Sequence, residues 1–235
     1  MEKKLFDSFE KISSKKWKQK IQYELKGADY NDTLVWESLE GIKVKPFYHD
    51  DEFETKVSAA TRTTPFSLLQ NIFVHDVVKS NKRALETLNR GAESIRFTIE
   101  NETISIDDLM QNLPKENTTY FFYLPFLSID FVKTINDFST KSGYKSVVLL
   151  DPIHQLEKDG NWFENLDKDF EKLNQSTKLG RSTISVDSSV YQNAGANMVQ
   201  QLAYTLAHVN EYFNRVESIS QPITIEVSVG SNYFL

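Results

Sequence analysis

The 235-residue chain contains no cysteine, which excludes disulfide frameworks, thiolate metal sites and cysteine nucleophiles. Histidine is scarce: His49, His75, His154 and His208 are all there is. None stands in an H-x-x-x-H or H-E-x-x-H spacing, and none has a carboxylate placed to complete an evident metal site. No run approaches eighteen apolar residues, so no membrane helix is expected. Residues 1–7 are not followed by the apolar stretch of a secretory signal. Excess positive charge is also missing. The net charge is −6 and the pI about 5.3, against the Lys/Arg clustering that a nucleic-acid surface requires. These absences leave a soluble, cytoplasmic protein as the expectation, with no nucleic-acid or membrane partner. What is present is ample core material, since 40% of residues are hydrophobic and 16 are Phe.

Residues 1–60 read differently from the rest. Trp17, Ile21, Tyr23 and Leu25 sit among lysines, the early ones at helical spacing. Ser13-Ser14 is placed to cap the helix and Gly27 to stop it. Leu34-Val35-Trp36 and Ile42-Lys43-Val44, joined by Glu40-Gly41, predict a hairpin that ends at Pro46. The stretch from His49 to Thr64 reads as an exposed connection. A helix and a hairpin with no core of their own must pack on something else, so this segment is read as an arm.

Residues 61–235 alternate short apolar strands with helical segments. Strands are expected at 70–74, 94–99, 120–124, 146–150, 183–186 and 224–229, and helices at 80–91, 106–113, 129–142, 162–173 and 194–215. Ser80 is expected to cap the first of these helices, with Asp107 and Asp130 in similar roles later. The alternation predicts an α/β fold of parallel strands with right-handed crossovers. No glycine occurs in Val74-His75-Asp76-Val77-Val78, which weighs against a dinucleotide-binding sheet. A TIM-type (β/α) barrel of about six βα units is preferred, incomplete because the sequence stops just after the sixth strand on apolar Tyr233-Phe234-Leu235. Strands one and six would then be open edges.

His75-Asp76, ending the first strand, is the best-placed catalytic candidate, because barrel sites lie at the strands' C-terminal ends. A polar loop pair is the plainer reading and is preferred. Asp151-Pro152 sits in the corresponding place on the fourth strand and is read as a turn and helix cap. The hydroxyls say more. Ser185, Asp187 and Ser189 on the fifth strand and its exit, with Thr224 and Ser228 on the sixth, stand where alternate side chains can line a barrel interior. They are the candidate substrate-binding residues, although strand formers facing helices would read the same way.

The stretch Ser189-Val190-Tyr191-Gln192-Asn193-Ala194-Gly195-Ala196, followed by Leu202-Ala203-Tyr204-Thr205-Leu206-Ala207, resembles methylmalonyl-CoA mutases. The resemblance extends to Leu25-Lys26-Gly27-Ala28-Asp29-Tyr30 and Lys45-Pro46-Phe47-Tyr48 in the arm. It also takes in Ala84-Leu85, Leu88, Gly91-Ala92 and Ser94-Ile95 at the first crossover, and Val227-Ser228-Val229-Gly230 near the end. It implies paired chains, radical chemistry from adenosylcobalamin, interconversion of methylmalonyl-CoA and succinyl-CoA, a CoA tail threading a Ser/Thr-lined barrel, and an arm that wraps the partner.

The same resemblance exposes what is missing. Catalytic chains of the family end the fifth strand on a Tyr-His pair, whose positions read Ser189-Val190 here. Valine cannot donate a hydrogen bond to a thioester carbonyl. The polar series of the catalytic fourth strand reads Leu149-Leu150-Asp151, and the family's Asp-x-His-x-x-Gly cobalamin motif has no counterpart, since Asp151-Pro152-Ile153-His154 is wrongly spaced. The resemblance is therefore closest to the small, non-catalytic chains. It implies no catalytic or cofactor-binding residue in this chain, adenosylcobalamin held by a large subunit in a heterodimer, and acyl-CoA as a possible ligand. The alternatives are a catalytically competent acyl-CoA isomerase using His75 or His154, or a stand-alone CoA-ester binding module.

Overall fold

The computed structural model describes residues 8–54, 66–217, 219 and 222–231. Part of the expected connection before Thr64 and the terminal Tyr233-Phe234-Leu235 lie outside the described residues. The chain divides into two compact units, residues 1–63 with 230–235, and residues 64–229.

In the first unit Ser13 caps helix α1 (Ser14–Glu24), its hydroxyl accepting from the Lys16 N–H. No residue of α1 is buried. Helix α2 (Tyr30–Leu34) was not expected. Asp29 Oδ1 accepts from the N–H groups of Asn31 and Asp32 at 2.7 and 3.1 Å and starts it. Leu34 is thereby drawn out of the predicted hairpin, which shortens to β1 (Trp36–Glu37) and β2 (Lys43–Val44). Trp36 stands opposite Val44, and Gly41 turns the chain at φ +78°. A 3₁₀ turn spans Asp50–Glu52, and Asp51 accepts from the Ser14 N–H at 2.9 Å. Large apolar side chains stay uncovered, Tyr23 and Leu39 each at 81% exposure.

The second unit runs β3 (Leu69–Val74), α3 (Val77–Asn89), β4 (Ser94–Ile99), α4 (Ile106–Leu109), β5 (Thr119–Tyr123), α5 (Ile129–Ser142) and β6 (Lys145–Leu150). It continues with α6 (Pro152–Asp159), α7 (Leu166–Thr177), β7 (Ser182–Asp187), α8 (Ser189–Asn193), α9 (Met198–Arg215) and β8 (Thr224–Glu226). The six strands are parallel and lie side by side in chain order. Every crossover advances in one direction, without the reversal of strand order that marks a doubly wound sheet. The α/β architecture and all six strand positions agree with the sequence reading.

Helix starts differ in instructive ways. Asp76, not Ser80, caps α3, accepting from the Lys79 N–H at 2.9 Å, and Ser80 is buried in the helix. Ser105 and Ser128 cap α4 and α5, while Asp107 and Asp130 sit in the first turns, where a carboxylate complements the helix dipole. The cap read at Asp151-Pro152 is borne out, but the sequence reading gave no range for the helix it starts, α6, which has Pro152 in its first turn. The helix expected at 162–173 begins later, after the Asn165 cap. The one expected at 194–215 divides into α8 and α9. Gly195, at φ +95°, breaks it, and a capping box between Asn197 and Gln200 restarts it.

One face of the sheet carries Ile72, Val74, Ile95, Phe97, Phe122, Val148, Ile184 and Val186, which join the helices in the buried core. Phe97, with no exposed surface, lies 6.4 Å from Tyr120 and 5.9 Å from Phe122 between ring centroids. The Tyr120 hydroxyl donates to the Pro114 carbonyl at 2.8 Å, so the buried phenol is satisfied. Replacing Phe97 by Ala is expected to cost about 3–5 kcal/mol of unfolding free energy, read from urea denaturation.

Candidate functional site

The second face of the sheet follows from the register. Asn71 pairs with Arg96, Arg96 with Phe121, Tyr123 with Leu149, Leu149 with Thr183, Ser185 with Thr224 and Asp187 with Glu226. Paired residues of a parallel ladder point the same way, so Arg96, Tyr123, Thr183, Ser185, Asp187, Thr224 and Glu226 share a face. Arg96 and Glu226 form an ion pair although four strand spacings, about 19 Å in a flat sheet, separate their strands. An arginine and a glutamate cannot bridge that distance, so the sheet is curled and this face is its concave one.

Three of the expected substrate-binding residues, Ser185, Asp187 and Thr224, lie on the concave face. Ser185 Oγ donates to Glu226 Oε1 at 3.1 Å, and the Tyr123 ring lies 5.7 Å from the Arg96 guanidinium. Burial raises the Tyr123 phenol above its ordinary range, and the carboxylates of Asp151 and Asp187 raise it further. The phenol is therefore a hydrogen-bond donor at neutral pH. Ser189 and Val190 do not line the strand. They open α8, where the Ser189 N–H donates to Asp187 Oδ1 at 2.9 Å. The Ser228 N–H donates to the Ser188 hydroxyl at 3.3 Å and ties the end of β8 to the exit of β7.

A second polar cluster, which the sequence reading missed, occupies the C-terminal ends of β6 and β7. Asp151 caps α6 through Oδ1, which accepts from the His154 N–H at 3.0 Å. The same oxygen accepts from His208 Nε2 at 2.9 Å and from the Tyr212 hydroxyl at 2.6 Å. Oδ2 accepts from the Asp187 N–H at 3.3 Å. Beyond the imidazole, the Tyr191 hydroxyl donates to Glu157 Oε1 at 2.5 Å and lies 3.0 Å from His208 Nδ1. A phenol has one proton, and Glu157 receives it, so Nδ1 must donate to Tyr191. Nε2 faces the Asp151 carboxylate, so both ring nitrogens are engaged and the surroundings favour the charged imidazole. Burial by itself would lower the pKa of His208. The hydrogen bond to Asp151 and the charges of Asp151 and Glu157 outweigh burial and raise it.

The remaining histidines offer little chemistry. His154 is buried with Nδ1 3.3 Å from the Asp187 carbonyl oxygen, His49 caps a 3₁₀ turn, and His75 is exposed beside the Asp76 cap. Among the described residues, no three His, Asp or Glu side chains converge to hold a metal ion, and no helix is long and apolar enough to cross a membrane.

Together these features define a curled, singly wound parallel α/β sheet with a polar concave face. At the strand ends where such sheets carry their sites, its polar groups bond to one another. No family model matches the chain. Among curated proteins it is similar to the methylmalonyl-CoA mutase small subunit of Porphyromonas gingivalis (strain ATCC BAA-308 / W83), 24% identical over 263 residues that cover 99% of this chain and 43% of that protein. The resemblance read from the arm and fifth-strand motifs is thus borne out along nearly the whole chain. The chain spans less than half the length of the curated relative it matches. Among solved structures, a mandelate racemase/muconate lactonizing enzyme from Roseiflexus sp. overlaps 71% of this chain and 49% of its own, with 13% identity and a TM-score of 0.44. That overlap carries no argument about chemistry.

The His208 cluster sets a pH dependence. The folded-state pKa lies above the free value of 6.5, so the stability it confers is complete below about pH 6.5 and is lost as pH rises through the raised value. H208Q is expected to lose about 3–5 kcal/mol at pH 6 and to show a flatter fall in stability between pH 6.5 and 9 than the wild type, both measured by urea melts across that range.

Proposed function

We propose that this chain is the non-catalytic small subunit of an adenosylcobalamin-dependent methylmalonyl-CoA mutase and supports a catalytic large subunit in a heterodimer. In this reading residues 1–60 are the arm that contacts the large subunit, and residues 61–235 form the greater part of a (β/α) barrel of the acyl-CoA mutase type. Adenosylcobalamin belongs to the large subunit, where it supplies the radical that starts the interconversion of methylmalonyl-CoA and succinyl-CoA.

One observation carries the proposal. Where catalytic chains of the family hold an aromatic-histidine pair, this chain has Ser189-Val190 at the start of α8. A valine side chain offers no donor to a thioester oxygen, and Ser189 supplies neither the ring nor the imidazole. The strand ends hold a histidine, His208, but its side chain is buried and both nitrogens are engaged. It cannot take up a substrate contact without breaking the cluster that holds it. The similarity to a curated small subunit supports the same assignment.

The test is reconstitution. The purified chain is titrated with its large subunit and assayed for mutase turnover with adenosylcobalamin. A stable complex, and turnover only when the large subunit is present, are the expected results; turnover by this chain alone would overturn the assignment.

The arm allows a finer test. Tyr23 and Leu39 are open to solvent, so Y23E/L39E should leave the melting temperature of the isolated chain within about 2 °C. In the complex the same change is expected to weaken binding of the large subunit at least tenfold by calorimetry. Unchanged affinity would remove these residues from the interface.

A further inference from the structure

Arg96 and Glu226 are 130 residues apart in sequence and lie on β4 and β8, the second and sixth strands of the curled sheet. Their side chains meet across the concave face and are only 17% and 27% exposed. The guanidinium reaches Glu226 by passing the Tyr123 ring, and the second carboxylate oxygen is held by Ser185.

Such a pair contributes little net stability, because desolvating both charges offsets most of their attraction. Arg96 Nε also has no hydrogen-bond partner among the described residues, so the guanidinium is not fully compensated. What the pair does without ambiguity is occupy space. Two long side chains joined end to end lie across the direction in which the strands run. The neighbouring side chains on this face, Ser185, Thr183 and Thr224, are small. Larger side chains, Phe121, Tyr123 and Leu149, share the face on the strands between, so without the pair a trough of mixed hydroxyl and apolar lining would run along the strands.

We propose that Arg96 and Glu226 form a strut that closes the concave face to any extended ligand lying along the strands, in particular the pantetheine arm of a coenzyme A thioester. This inference rests on the small-subunit reading above. It gives that reading a second physical basis, independent of Ser189-Val190: such a chain lacks both the donor to a thioester and the passage by which one would arrive. Ser185 is an accessory to the strut, since its hydroxyl fixes the glutamate rather than facing an open channel.

The experiment is calorimetric titration of the full chain with acetyl-CoA, without cobalamin or large subunit. Three proteins are compared: wild type, R96S/E226S, which removes the strut and leaves hydroxyls, and R96E/E226R, which rebuilds it in reverse. The expected result is no saturable binding by wild type at millimolar ligand, binding at least tenfold tighter by R96S/E226S, and loss of that gain in R96E/E226R. Circular dichroism melts confirm that each variant folds, and R96A/E226A replaces the serine pair should that one not fold. Binding by wild type as tight as by the double-serine variant would overturn the strut, and so would a double variant that binds no better than wild type. Turnover by the isolated chain would instead overturn the small-subunit reading, so the two failures are distinguishable.

Discussion

The C-terminal end of the sheet depends on one carboxylate. Asp151 follows β6 directly and accepts hydrogen bonds from the first turn of α6, the last residue of β7 and two side chains of α9. A buried carboxylate is costly unless its lone pairs are filled and its charge is met. Here four donors fill them, and the charged form of His208 supplies the opposite charge. The second counter-charge to that imidazolium, Glu157, comes from α6 and is only partly buried, so a line of polar contacts runs from the surface into the core. Three helices and two strand ends are held in register by groups that would destabilise the fold if any one of them lost its partner.

The same arrangement explains why polarity at the strand ends is poor evidence of chemistry here. A site that binds a substrate keeps donors and acceptors waiting for it. In this cluster the described contacts fill both oxygens of Asp151, both nitrogens of His208 and the hydroxyls of Tyr191 and Tyr212. The concave face behaves alike, with Arg96, Glu226 and Ser185 bonded to one another. Tyr123, like Arg96 Nε, is an exception. Its hydroxyl makes no hydrogen bond among the described residues and stays protonated under burial, yet it stands beside the strut rather than in open space.

How much could be read from the sequence follows from the range of each interaction. All six parallel strands were legible because apolar runs and their spacing are local properties, as were the Ser13 cap, the Asp151-Pro152 cap and the turn at Gly41. Helix starts were less so. Asp76 and Ser80 are both acceptable caps by residue type, and only the position of the preceding strand selects Asp76. The break between α8 and α9 needed a glycine at positive φ and a capping box two residues later, a combination masked by the apolar periodicity on either side. The polar pairs on the concave face and at the strand ends are non-local. Asp151 and His208 are 57 residues apart and Arg96 and Glu226 130, and no spacing rule connects them. The alternation along the strands did place Ser185, Asp187 and Thr224 on one face. It could not show that a charged pair lies across that face.

The two faces of the sheet also differ in what they bury. Most apolar burial lies on the helix-facing side, where Phe97, Tyr120, Phe122, Val148 and Ile184 pack against α3, α5, α7 and their neighbours. Burial of that kind is the dominant favourable term in folding. The concave side contributes hydroxyls, an ion pair whose net stabilisation is small and a few larger side chains, Phe121, Tyr123 and Leu149. Changes there can therefore remove or block a site without touching the core. The Arg96–Glu226 pair lies on the concave side, so substitutions there alter that face while the helix-facing core stays in place.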